Sequence, residues 1–221
     1  MEEYHFNILP RHQKTLWNQL GATPDHFVLY GGTAIALRLG HRESIDFDFF
    51  SNSSFNNNQL YRSMGFLDGG RVIQSEQNTL TVLIPGNDEF VKVSFFGNLG
   101  LSQLEEPSLM SNGIKMASLL DLFGMKCATV PQRVELKDYM DIYNILNKSN
   151  YTLSDGLSAA KAIYGNQYNE IFTLKALSYF ENEELRELGQ DIKDELIEHV
   201  DSVGKIKKIN AKNEIGYINE Q

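Results

Sequence analysis

The sequence predicts an α+β fold in which a mixed β-sheet core precedes a C-terminal helical lobe, and three observations carry that prediction. Up to about residue 112, short apolar runs alternate with turns rich in Gly, Asn and Ser. From about residue 113 onward, the apolar spacing is helical almost throughout. Hydrophobic residues make up 42% and aromatics 11% of the 221 residues, a globular composition large enough to bury a core. The predicted division is a core over 1–112, a helical lobe over 113–203 and a flexible tail over 204–221. In that tail Lys205, Lys207, Lys208 and Lys212 alternate with Asn and Ile without apolar periodicity.

Taken in order, Pro10 suits the first turn of a short helix whose Leu16, Trp17 and Leu20 share a face, and Gly21 stops it. Phe27 to Tyr30 reads as a buried strand, and Thr33 to Leu39 as a helix ended by Gly40. Ile45 to Phe50 is a second strand, and a Ser/Asn-rich run from Ser51 leads into a helix through Met64. Three more strands follow, at about 71–75, 79–84 and 90–96. Gln77-Asn78 and Pro85-Gly86-Asn87-Asp88 supply the turns between them. The second half predicts helices over about 118–130, 135–147, 154–164, 167–180 and 191–203.

Charge and cysteine count bound the function classes. With 29 acidic against 20 basic residues, the net charge is −9, whereas a broad phosphate-binding face tips a domain the other way. A generic nucleic-acid coat protein is therefore disfavoured, although a local basic groove is compatible with this balance. The one cysteine, Cys127, has no internal partner, which favours a reducing compartment. No apolar run approaches the roughly 20 residues of a membrane span, and no basic-then-apolar signal opens the chain, so a soluble cytoplasmic protein is expected.

Two segments carry chemistry. In Phe27-Val28-Leu29-Tyr30-Gly31-Gly32-Thr33-Ala34 an apolar strand runs into two glycines and a helix start. Glycines let the backbone come close to a ligand, and a helix N-terminus offers unpaired N–H groups that suit phosphate. The same pattern is also simply a tight connection. In Ser44-Ile45-Asp46-Phe47-Asp48-Phe49-Phe50, strand periodicity puts Asp46 and Asp48 on one face and Ile45, Phe47 and Phe49 on the other. Neighbouring carboxylates in an aromatic run repel one another unless a cation compensates, and hard oxygen ligands suit Mg²⁺. The alternative is an edge strand with a solvated polar face. Jointly the segments match the needs of metal-assisted phosphoryl or nucleotidyl transfer: a turn that holds a triphosphate and two aspartates that hold ions.

The run from Gly31 to Leu37 and from His41 to Phe50 resembles the DNA polymerase β-like nucleotidyltransferase superfamily, and within it the AbiEii/AbiGii toxin-like branch. The likeness extends to Val91–Phe96, Asp121–Lys126 and Lys137–Tyr143, and covers roughly residues 27–147. It implies transfer of a nucleotide from an NTP, ATP among the candidates, with Mg²⁺, to an RNA (a tRNA end included), a protein or a small molecule. Toxin members are paired with an antitoxin. The resemblance assigns Gly31, Gly32 and Thr33 to the nucleotide and Asp46 and Asp48 to metal and catalysis. It also assigns Lys126 to nucleotide phosphates and Asp138 or Asp141 to completing the acidic site. Many relatives carry a third carboxylate on a later strand. Here that strand presents Ser94, with Lys92, a candidate nucleotide-binding residue, two positions away on the same face. A fold that kept nucleotide or partner binding without turnover is the alternative that Ser94 motivates.

The supporting residues each have a bland reading. Met116, Leu119, Leu120, Phe123, Cys127 and Val130 form one helical stripe, so Cys127 reads as core. Ser118 and Asp121 have cap spacing, and Asp121 reads as structural. Lys126 borders the stripe, where its stem can lie on the core and its ammonium reach a cleft. Asp138 shares a face with Ile142 and Ile145, whereas Asp141 has Lys137 four residues before it as an ion-pair partner. Arg42 either pairs with a nucleotide phosphate or neutralises the aspartates.

Overall fold

The computed structural model describes residues 4–86 and 89–217. The chain forms two compact units: Met1–Leu101, Glu106–Ala117 and Asn213–Gln221 make the first, and Ser102–Glu105 with Ser118–Lys212 the second.

The first unit contains α1 (Arg11–Trp17), β1 (Val28–Tyr30), α2 (Gly31–Leu39), β2 (Asp46–Phe50), α3 (Asn57–Ser63), β3 (Arg71–Glu76), β4 (Thr79–Pro85), β5 (Phe90–Phe96), β6 (Ser108–Leu109) and β7 (Lys115–Met116). These seven strands form one mixed sheet in the order β3-β4-β5-β2-β1-β7-β6, apart from the short strand Asn213–Glu214. Strand β2 sits between β1, to which it is antiparallel, and β5, to which it is parallel. The two-residue strands β6 and β7 are too short to show periodicity and are not foreseen from the sequence; β7 pairs parallel to β1.

Period-two alternation sets the core. Phe47, Phe49, Val93 and Phe95 are fully buried on one sheet face, where Phe49 stacks on Phe95 at 5.4 Å and Trp17 leans on Phe47 at 6.1 Å. Ile45 departs from the expected pattern. It precedes β2 and is 54% exposed, because pairing with β5 begins only at Asp46. The β3–β4 turn is held by Asn78, which has φ of 57° and accepts from Phe55 N, and by Asn57, whose amide donates to Ser75 Oγ and to the Glu76 and Thr79 carbonyls. Of the predicted turn at 85–88, Asn87 and Asp88 lie outside the described residues.

The second unit contains α4 (Leu119–Thr129), α5 (Leu136–Lys148), α6 (Leu153–Tyr164), α7 (Glu170–Ala176) and α8 (Gln190–Asp201). Ser118 caps α4 by accepting from Asp121 N, and Thr152 and Asp155 close a reciprocal capping box on α6. Residues 121–128 of α4 are all buried, so this helix is enclosed on every side rather than along one stripe. A Cβ on Gly124 would stand 2.8 Å from Ala159, which shows how closely α4 and α6 approach. Helix α7 is shorter than the predicted 167–180, because Gly165–Gln167 forms a separate 3₁₀ turn and Asn169 starts the helix by accepting from Ile171 N.

The stretch after Gly204, which composition reads as frayed, makes backbone bonds. Lys207 N donates to Ser158 Oγ and Lys212 N to the Gln103 carbonyl in the second unit. In the first unit Ile215 N donates to the Leu101 carbonyl, and its side chain is buried. Residues 218–221 of the predicted tail lie outside the described residues.

Candidate active site

The first unit builds a carboxylate pair beside a helix start. Helix α2 begins directly at Gly31, which has φ of 76°, a region that L side chains rarely adopt. Space adds a second requirement there: a Cβ on Gly31 would lie 2.8 Å from Oδ2 of Asp48. The Asp48 carboxylate thus rests against the backbone of the strand-to-helix turn. The first N–H groups of α2 have no partner within the helix and give that end partial positive character. At the other end Gly40, in the left-handed region, stops the helix and donates to the Ala36 carbonyl.

Asp46 and Asp48 are both partly exposed while Phe47 and Phe49 are buried, so the two carboxylates share one face of β2. In the parallel register with β5, Lys92 stands opposite Asp46 and Ser94 opposite Asp48. Lys92 Nζ lies 2.8 Å from Asp46 Oδ2. Ser94 is 3% exposed, so opposite Asp48 the strand β5 brings a hydroxyl rather than a carboxylate.

Thr33 is tied to this face by hydrogen bonds, whereas Arg42 contacts its own neighbour's backbone. Thr33 is buried; its hydroxyl donates to the Asp46 carbonyl and lies 2.8 Å from Ser44 Oγ, which ties α2 to the start of β2. Its side chain therefore positions Asp46. Arg42 donates from Nη1 to the Glu43 carbonyl at 3.0 Å. Ser44, not singled out from the sequence, belongs to the same brace. Its only sequence signal is a small hydroxyl residue two places before the first aspartate.

The site's donors fit a hard divalent cation. Among the described residues no three His, Cys, Asp or Glu side chains converge as a metal cage. Two carboxylates beside a tight glycine turn suit an ion such as Mg²⁺ that fills its remaining positions with water and substrate phosphate.

The second unit gathers the other predicted residues. Lys126 pairs with Asp138 and, at 2.8 Å, with Asp141; the two aspartates are fully buried and the lysine nearly so. Arg133 adds a second cation, with Nε 2.9 Å from Asp138 Oδ2. Asp141 therefore takes Lys126 rather than Lys137, which pairs with Glu135 at 2.9 Å instead. Burial decides this, because two carboxylates inside a helical core need cations brought in beside them. Arg133 was not foreseen; an arginine five residues before Asp138, in the turn leading to α5, is the signal that could have found it.

The two residues read as structural are so placed. Asp121 accepts from Ser118 Oγ and from the backbone N–H groups of Leu104 and Glu105. Burial pushes its carboxyl above the usual range, against the pull of those hydrogen bonds. Cys127 is fully enclosed, and burial pushes its thiol up.

Comparison with known proteins gives the geometry a context. The family described as nucleotidyl transferase AbiEii toxin, type IV toxin–antitoxin system, matches residues 16–206. An uncharacterized protein of Aquifex aeolicus is 33% identical over 159 residues, covering 71% of this chain and 74% of that protein. A putative nucleotidyltransferase from H. pylori superposes with a TM-score of 0.55 at 18% identity, over 86% of this chain and 92% of that one. The MenT4 nucleotidyltransferase toxin of Mycobacterium tuberculosis H37Rv gives a TM-score of 0.58 at 12% identity, over 87% of this chain and 82% of that one. At such identities the two solved structures speak for a shared fold.

Proposed function

We infer that this chain, which belongs to the nucleotidyl transferase AbiEii toxin family of type IV toxin–antitoxin systems and is a nucleotidyltransferase, binds an NTP at the Gly31–Gly32 turn and uses Mg²⁺ held by Asp46 and Asp48. The observation that carries the reading is the pair of carboxylates on one face of β2, with Asp48 resting against Gly31. The turn and the first N–H groups of α2 meet phosphate oxygens, and Arg42 supplies a further cation for them. The metal, when bound, neutralises charge on the triphosphate and makes the acceptor hydroxyl a better nucleophile. An acceptor oxygen bonds to the α-phosphorus, the bond to the β-phosphate oxygen breaks, and pyrophosphate and a proton leave. Thr33 acts by holding the Asp46 backbone in place.

For Lys126, Asp138 and Asp141 a part in transfer is proposed on the family resemblance alone; their ion pairs form a buried cluster within the second unit. The acceptor is an RNA end, a protein or a small molecule; a net charge of −9 favours local over extended contact with nucleic acid. Membership of a toxin family supports an antitoxin as the cognate regulator. No helix among the described residues is long and apolar enough to cross a membrane, and the single buried thiol supports a cytoplasmic setting.

The test is incubation of the purified chain with each labelled NTP, Mg²⁺ and, in turn, total RNA, total protein and small-molecule acceptors. Label is expected to appear in one acceptor class and to fall to background in folded Asp46→Ala and Asp48→Ala variants. Undiminished labelling in those variants would sink the metal assignment.

A further inference from the structure

The acidic face of β2 carries a cation of its own. Lys92 and Ser94 are brought opposite Asp46 and Asp48 by the parallel register of β5 with β2, and Lys92 Nζ is 2.8 Å from Asp46 Oδ2. The pair is only partly buried, with side-chain exposures of 38% and 27%, so its geometry is set by strand register rather than by enclosure. Asp46 is held from behind as well, since the Thr33 hydroxyl donates to its carbonyl. Register brings the Lys92 stem alongside Asp46, and the brace holds the Asp46 backbone.

Charge then limits what else this face accepts. Of the four residues that β2 and β5 bring side by side here, Asp46 and Asp48 are acidic, Lys92 is basic and Ser94 is neutral. A site that clamps two divalent ions relies on carboxylates bridging and flanking them, and a third carboxylate on β5 would serve that purpose. This chain has an ammonium and a hydroxyl on that strand instead.

We propose that the Lys92 ammonium stands in for one of the two cations of a two-metal nucleotidyltransferase site, so that this face would take a single divalent ion, for which Asp46 and Asp48 would be the carboxylate ligands. The inference rests on Asp46 and Asp48 being the metal ligands. Lys92 is a positioning residue in it: it fixes the Asp46 carboxylate and sets the charge that an arriving ion meets, without bonding to that ion. An ion entering here meets repulsion from the ammonium as well as attraction to the carboxylates, so affinity in the absence of nucleotide is held down.

Mn²⁺ binding to the purified full chain, counted by electron paramagnetic resonance without nucleotide, tests this independently of activity. The wild type should bind one Mn²⁺. Lys92→Met, which keeps the stem and removes the charge, should tighten that site by about tenfold. Lys92→Glu should bring the number to two. A wild type that binds two ions, or Lys92→Met and Lys92→Glu variants with wild-type number and affinity, would overturn the proposal. Asp48→Asn separates this from the underlying reading. If Mn²⁺ binding persists unchanged in Asp48→Asn, or no variant binds Mn²⁺, the metal assignment itself fails. If Asp48→Asn abolishes binding while Lys92 variants change nothing, only the role of Lys92 fails. Circular dichroism confirms folding of each variant, and Lys92→Gln replaces Lys92→Met should the latter not fold.

Discussion

Gly31 and Asp48 are built around one another: the carboxylate occupies the space that a side chain at residue 31 would need, 2.8 Å from where its Cβ would be. The φ of 76° at Gly31 adds a backbone reason for the same residue. Gly31→Ala is expected to cost about 1–3 kcal/mol of stability through the left-handed backbone alone. It should also displace Asp48, so transfer activity is expected to fall in the protein that still folds. Urea denaturation reads the first effect and a labelled-NTP assay the second. A variant with wild-type stability and activity would refute both.

The Lys126, Asp138 and Asp141 cluster makes a different demand. Removing one member leaves a charge buried without its partner. Lys126→Met is thus expected to destabilise the chain by about 3–5 kcal/mol. Arg133 is 48% exposed, and Arg133→Ala should cost no more than about 1 kcal/mol. A double-mutant cycle of Lys126→Met with Asp141→Asn should show coupling of about 0.5–3 kcal/mol, and additive single effects would contradict the ion pair.

His26 sets a pH dependence in the first unit. Burial lowers its pKa, Asp25 opposes this and Lys115 adds to it, and Nε2 is buried without a hydrogen-bond partner among the described residues. Below its ordinary value near 6.5 the unfolded imidazole takes up a proton before the folded one does. The stability is therefore full above that pH and declines as pH falls through the lowered folded value. Chemical denaturation between pH 7 and pH 5 is expected to show this loss, with a shallower slope in His26→Gln. Equal slopes would remove His26 as the cause.

Cys127 should behave as core. Its thiol is fully buried with its pKa pushed up, and Thr173 Oγ1 donates to its carbonyl at 2.6 Å. A thiol-labelling reagent is expected to leave it untouched in the native chain and to modify it on unfolding, at a rate that follows global opening. Fast labelling under native conditions would contradict the placement.

Much of the site was legible because it is local. Asp46 and Asp48 share a face through strand period alone, the two glycines mark the turn before α2, and Ser118 with Asp121 announces a helix start by spacing. Cys127 and Trp17 declare themselves as core by helical spacing. The short strands β6 and β7 were invisible, because two residues carry no period, and the full enclosure of α4 was read as a single stripe. Arg133 and Ser44 were missed because their roles come from neighbours rather than from their own segments.

Alone, the sequence determined the α+β class, the order of the longer strands and helices, and the aspartates of β2, since backbone propensity and side-chain period act over a few residues. Only the tertiary structure decided which charges meet. Lys92 reaches Asp46 through a parallel register across 46 residues of chain, and Asp141 meets Lys126 rather than its helical neighbour Lys137. The physical reason is that strand register and burial are settled by the whole sheet and the whole helical core. A lysine's partner is then the carboxylate that packing places beside it, at whatever distance along the chain.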